Sequence, residues 1–173
     1  MERIDLPDAS ATPVVYRDAL LEVLGGRDAL TVMAETLEAL PRLLDGLSDA
    51  EWAAAPEPGE WSPAELLGHF FDVDLVFGFR WRLVATSDRP TYPGYDEKAF
   101  MGLARPEPAR LLTAWRGLRE ANLAMLRTLP AEAYARLGVH GEQGEETLRV
   151  AVDKFAGHDL AHLNQMHRSL PAR

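Results

Sequence analysis

The sequence predicts an all-α protein, a four-helix bundle with long inter-helix loops. Three observations carry that expectation. Apolar residues recur at steps of three and four, as in Leu30, Met33, Leu37, Leu40 and Leu44, which places them on one helix face. The quartet Ser62-Pro63-Ala64-Glu65 is a strong helix start: a capping serine, a proline at the first helical position, and a glutamate placed to close a capping box. No alternation of apolar and polar residues runs long enough to announce a sheet.

The elements follow in order. Residues 1–13 read as an irregular leader, punctuated by Pro7 and Pro13. Residues 14–173 form a single helical domain, since 173 residues suffice for one core and invite no second. A short helix fits Val14 to Leu24, where Gly25-Gly26 breaks it. A longer one fits Asp28 to Asp45, with Pro41 expected to kink it or end it early. Ser48 to Trp52 adds one helical turn. The helix capped by Ser62 continues to about Thr86.

Ser87 to Pro108 is a long segment rich in proline, glycine and tyrosine. A loop of that length within a compact domain is commonly a binding loop or lid, and Tyr92, Tyr95 and Phe100 favour an ordered one. A further helix fits Ala109 to Leu129 and stops at Pro130. An irregular stretch surrounds Gly138 to Gly144, and a last helix runs from about Glu146 to Leu170, before Pro171.

Composition excludes several function classes. The chain has 18 Lys and Arg against 27 Asp and Glu, a formal net charge of -9, with no basic run or stripe. Phosphate backbones and anionic lipid surfaces draw on clustered cations, so neither a nucleic acid nor a membrane is an expected partner. Cysteine is absent, which removes disulfides, thiolate metal sites and cysteine nucleophiles. Any metal must be held by His, Asp or Glu. No segment has the length of a signal-peptide core or a membrane span, and a cytoplasmic location is expected by default.

The histidines carry the chemical argument. His158 and His162 lie four apart in HDLAHLNQ, on one face of the last helix, where two imidazoles can share an ion. Ala151 and Ala161 flank them and leave room. His69 lies about two turns into the capped helix on a largely apolar, core-facing stripe, and is the natural third ligand. A buried imidazole needs partners for its ring nitrogens, and three can satisfy one another through a shared cation. The bland alternative is that each is a hydrogen-bonded core or surface histidine. His140 and His167 are expected to face solvent.

At this point WSPAELLGHFFDVD, followed downstream by PGYDEKAF and by EETLRVAVDKFAGHDLAHLNQ, resembles the DinB-like superfamily over roughly residues 15 to 170. Its members are described as damage-inducible, metal-dependent hydrolases and thiol transferases. The family pattern is a Trp-Ser helix start, a histidine a few residues on, and a closing helix bearing His-x-x-x-His and a glutamine. Here these are Trp61, Ser62, His69, His158, His162 and Gln165. The resemblance implies a four-helix bundle whose three histidines hold one divalent ion beside a pocket.

Three imidazoles with open coordination positions suit catalysis better than a closed structural site. Such an ion activates water or a thiol at neutral pH. The expected function is therefore a hydrolase or a low-molecular-weight-thiol S-transferase acting on a small molecule, in stress or detoxification. Zinc and nickel head the list of ions, since all-imidazole ligation does not choose among them. Asp72, one turn from His69, and Gln165, three residues after His162, are candidate catalytic helpers. Lys154 and Arg80 share the histidine faces and are candidates to meet an anionic substrate group, set against the tendency of long basic side chains to reach for water. Tyr92 and Tyr95 are placed to line a pocket mouth. The alternatives are a non-catalytic metal-binding stress protein, or a helical interaction module without metal. A homodimer is the expected assembly if an exposed apolar helix face pairs.

Overall fold

A computed structural model describes residues 3–170. Residues 1–2 of the leader and 171–173 of the expected domain, Pro171 included, lie outside the described residues. Seven α-helices follow in order among them: α1 (Pro13–Leu24), α2 (Ala29–Leu44), α3 (Asp49–Ala53), α4 (Pro63–Thr86), α5 (Glu97–Met101), α6 (Pro108–Thr128) and α7 (Leu148–Ser169). Helix α2 packs on α7 and α6, and α4 packs on α6 and α7, so α2, α4, α6 and α7 close a four-helix ring. Helix α1 lies along the outside of α7. No helix of the described residues is long and apolar enough to cross a membrane.

Local sequence accounts for most helix limits. Ser62 Oγ accepts from Glu65 N–H while Glu65 reaches back to the Ser62 N–H, so the predicted capping box forms. Such a cap stabilises a helix start by about 1 kcal/mol. A second box, Ser48 with Glu51, opens α3. Gly25, at φ 62°, takes the left-handed conformation that ends α1. Helix α2 does not stop at Pro41 but runs on to Leu44. Leu40 and Leu44 are both buried, and their packing offsets the one hydrogen bond that proline removes.

The apolar core falls into two clusters. One gathers Leu40, Leu66, Phe70, Leu111, Trp115 and Met166. The other gathers Val73, Trp81, Leu123, Leu126, Val152 and Phe155. Along α4, α6 and α7 the positions between these clusters are polar: His69, Asp72 and Asp74, then Arg119 and Asn122, then His158, Asp159 and His162. A polar layer thus crosses the bundle at mid-height. Phe77 and Trp81 pack on Phe155 while His69 meets His158 and His162, so α4 and α7 run antiparallel.

The structure adds a small sheet that the sequence did not announce. Strands β1 (Thr91–Tyr92), β2 (Leu137–His140) and β3 (Gly144–Thr147) stand in that order, β1 parallel and β3 antiparallel to β2. Strands this short, two of them in a Gly- and Glu-rich stretch, show no alternation to read. They form because β2 and β3 are joined by a tight turn and β1 docks from the α4–α5 connection. The sheet packs on α7 through β3, which brings Glu146 to Lys154.

Gly157 admits α1. A Cβ there would stand 1.9 Å from the Leu20 carbonyl oxygen, so only glycine lets the α1 backbone come this close to α7, one residue before His158.

Candidate metal centre

Helix α4 presents His69 and α7 presents His158 and His162. One ring nitrogen from each lies within 4.8 Å of the others. His69 Nε2 and His158 Nε2 are 2.9 Å apart. His69 is 1 % and His158 5 % exposed, and His162 is partly exposed. Burial holds the His69 and His158 imidazoles well below their ordinary pKa, helped by the neighbouring His162. His162 falls to about 4 through burial, opposed by Gln165. All three are neutral at pH 7, with lone pairs available.

The second nitrogens complete the picture. His162 Nδ1 pairs with Gln165 Oε1 at 2.9 Å. The amide oxygen only accepts, so Nδ1 carries the proton and the Nε2 lone pair is left for a ligand. His69 Nδ1 and His158 Nδ1 have no hydrogen-bond partner, although both are buried. The nearest carboxylate to the former is Glu97 Oε2, at 3.9 Å. Trp61 lies parallel to the His162 ring, centroids 5.9 Å apart at 17°, and packs against His69 at 4.9 Å. That indole walls the cluster on the side of the α4 N-terminus.

A divalent ion fits this donor set. Two imidazole nitrogens on a tetrahedral zinc stand about 3.4 Å apart, about half an ångström more than the His69–His158 separation. The set is neutral, converging and largely buried, and the Nε2 atoms of His69 and His158 face one another with no carboxylate between them. Three protein ligands also leave a coordination position open. Cavities of about 320 Å³ and 570 Å³ adjoin the cluster, the first lined by His162 and Gln165, the second by His158.

Other expectations fare differently. Asp72 is buried, but Arg105 grips its carboxylate at 3.1 and 2.5 Å. Arg105 also donates to the Gly68 and Phe100 carbonyls, so this pair pins the segment after α5 onto α4. Among the described residues the Asp72 carboxylate bonds to Arg105 and not to a histidine. His140, expected in solvent, is 4 % exposed: it sits on β2 with its ring edge-on to Tyr92. His167 is exposed, as expected.

Lys154 and Arg80, expected to snorkel, are 1 % and 6 % exposed. The sheet supplies the cover. Lys154 Nζ pairs with Glu146 at 2.6 Å and Gln143 at 2.7 Å, and burial brings it down to about 8 despite Glu146. Tyr92 is not at a pocket mouth. It is 2 % exposed and donates to Glu146 at 2.7 Å, whereas Tyr95 does line the larger cavity.

Sequence reasoning missed a buried ionic cluster beside the histidines. Arg119 bonds both Asp74 oxygens at 2.9 Å and donates to Asp159 Oδ2 at 2.5 Å and Oδ1 at 2.9 Å. Trp115 Nε1 and Asn122 Nδ2 complete the shell of Asp74. The signal was present: Asp74, Arg119 and Asn122 interrupt apolar helix faces.

Comparison with known proteins gives a consistent placement. The putative metal-dependent hydrolase YfiT of Bacillus subtilis is 24% identical over 148 residues, covering 82% of this chain and 83% of that protein. The putative metal-dependent hydrolase OB0413 of Oceanobacillus iheyensis is 26% identical over 129 residues, 72% of this chain and 73% of that one. The solved structure of YfiT, described as a probable metal-dependent hydrolase with an unusual four-helix bundle topology, superposes with a TM-score of 0.71 at 21% identity, over 98% of this chain and 90% of that one. That likeness shows the fold. The family model of the DinB superfamily matches residues 33–166, a span that holds all three clustered histidines, and the chain belongs to that superfamily.

Proposed function

We propose that this chain is a divalent-metal-dependent enzyme acting on a small molecule, a hydrolase or a low-molecular-weight-thiol S-transferase, serving stress or detoxification in the cytoplasm. The observation that carries the reading is the trio of buried, neutral imidazoles whose nitrogens converge beside open cavities. The relatives' names point the same way.

His69, His158 and His162 would hold the ion, zinc or nickel first. Bound there, it would supply Lewis acidity and lower the pKa of a coordinated water or thiol. The chain's own groups prepare the site. Gln165 fixes the His162 tautomer by accepting the Nδ1 proton, a positioning role. Trp61 shields two of the rings from water. Asp72 acts at a distance, holding Arg105 and the segment that carries Glu97 against α4. With no cysteine in the chain, a transferred thiol must come from a co-substrate.

The test is metal content by elemental mass spectrometry on untagged protein, beside a His158→Ala/His162→Ala variant. About one ion per wild-type chain and none in the variant is the expected result. Wild-type protein that takes up neither zinc nor nickel after incubation overturns the reading. Turnover of activated esters against turnover of thiol plus electrophile then separates hydrolase from transferase.

A further inference from the structure

Three cations are deeply buried among the described residues: Arg119, Lys154 and Arg80. Arg119 has Asp74 and Asp159, and Lys154 has Glu146. Arg80 has no carboxylate within ion-pair distance. Its Nη2 donates to the Pro93 carbonyl at 2.5 Å, and its charge otherwise faces the rings of Phe77, Tyr92 and Tyr95 at 5.3, 5.4 and 5.9 Å. A guanidinium does not shed its proton inside a protein, so a buried one calls for an anion.

Arg80 lines the 570 Å³ cavity that His158 also lines. Two neutral donors border the same space. His140 Nδ1 accepts from the Glu142 and Gln143 N–H groups at 3.2 and 3.3 Å, so the ring proton sits on Nε2, for which the protein offers no acceptor. The Tyr95 hydroxyl likewise has no protein hydrogen bond. Glu142 also lines the cavity, and the Glu146 charge is matched by Lys154. Asp8, Asp96 and Glu97 line the cavity as well, with Lys98, so its rim is acidic and Arg80 with the two neutral donors is its one local positive pole; that arrangement suits a single carboxylate seated at Arg80 and disfavours a dianionic phosphate.

From His69 to Arg80 is 11 positions on one straight helix, about 16 Å of rise. The cavity spans that interval, since Arg80 and His158 both line it. We propose that Arg80, with His140 Nε2–H and the Tyr95 hydroxyl, forms a carboxylate-binding subsite that anchors an extended monoanionic substrate or co-substrate whose reacting end lies at the three histidines. The assignment of the reacting end rests on the metal reading above. The anion subsite does not.

The first measurement is therefore made without metal. Chelator-treated full-length protein is titrated calorimetrically with hexanoate, hexan-1-ol and hexyl phosphate, in wild type, Arg80→Gln and Arg80→Lys. Wild type should prefer hexanoate over the alcohol by about tenfold or more. Arg80→Gln should lose that preference while binding the alcohol unchanged, and Arg80→Lys should keep part of it. Equal binding of hexanoate and hexanol by wild type overturns the subsite, whether or not the glutamine variant folds. Tighter binding of hexyl phosphate than hexanoate overturns its assignment to carboxylates.

The second measurement uses cobalt-loaded protein with 6-mercaptohexanoate and 6-mercaptohexan-1-ol, read by the thiolate-to-cobalt charge-transfer band. The acid should saturate the band at about tenfold lower concentration in wild type only. No band with either thiol, alongside an intact hexanoate preference, would sink the metal reading and leave the subsite standing. Bands with equal affinity in wild type and Arg80→Gln would do the reverse.

Discussion

His158 and Asp159 are neighbours on α7, yet they belong to opposite kinds of polar cluster. Asp159 joins Asp74 and Arg119 in a group where opposite charges meet and each side chain is gripped by several hydrogen bonds. Burial alone would lower the Arg119 guanidinium, but Asp159 and Asp74 hold it above its ordinary value. His158 joins His69 and His162 in a group whose nearest carboxylate is Glu97, 3.9 Å from His69, with two buried nitrogens that have no hydrogen-bond partner and with depressed basicity. The first cluster is complete within the protein. The second turns neutral ring nitrogens on one another, an arrangement that a shared cation would complete under the proposed function. Both are largely buried, His162 excepted; what separates them is whether the polar atoms find partners within the chain.

Four experiments break or sharpen that contrast, from largest effect to smallest. Arg119→Leu strands two buried carboxylates and should cost about 3–5 kcal/mol in urea unfolding, while His158→Leu in chelator should be near neutral or stabilising. Equal losses for both would erase the distinction. Next, zinc at a thousandfold excess over Kd should stabilise wild type by about 4 kcal/mol and leave His158→Ala/His162→Ala unmoved, read as the shift in unfolding midpoint. Gln165→Ala should weaken metal affinity about 10- to 100-fold in a competitive chelator titration, with little change in metal-free stability. Unchanged affinity would reduce Gln165 to an ordinary helix-surface contact.

The smallest effect concerns pH. His140 is held down to about 3, chiefly by burial, with Lys154 and Arg80 adding repulsion. The unfolded chain takes up this proton near pH 6.5 and the folded one only near 3. Its share of stability is therefore full above 6.5 and is lost as pH falls toward 3. His140→Gln, compared in chelator, should flatten the wild-type decline between pH 6.5 and 4.5 by about 1–2 kcal/mol. Parallel declines would mean that the proton is taken up at its ordinary pKa.

Much of the bundle was legible because its signals are local. The Ser62 cap, the leucine spacing of α2 and the Pro130 stop each act within a few residues, and the helices begin and end close to where these place them. The His158/His162 pair was legible for the same reason, and His69 through its core-facing stripe. What was not legible depends on cover from distant segments. The fates of His140, Lys154 and Arg80 turn on a sheet whose β1 pairs with a strand 48 positions away, and no window of sequence displays that pairing. Asp72 beside His69 looked like a helper because its partner, Arg105, lies 33 residues on. Asp74 and Arg119 are separated by 45, and opposite charges that far apart carry no mutual mark in a linear reading.

The distance between the clustered histidines has one more consequence. His69 and His158 are 89 residues apart along the chain. An ion held by both would tie α4 to α7 as a disulfide ties two strands, closing a loop of that length and restricting the unfolded ensemble accordingly. A chain without cysteine would then possess a staple independent of redox state, inserted by metal supply and withdrawn by chelation. Its lifetime in a cell would follow the free-metal pool, so starvation for that ion would silence the protein and expose it to proteolysis in the same stroke.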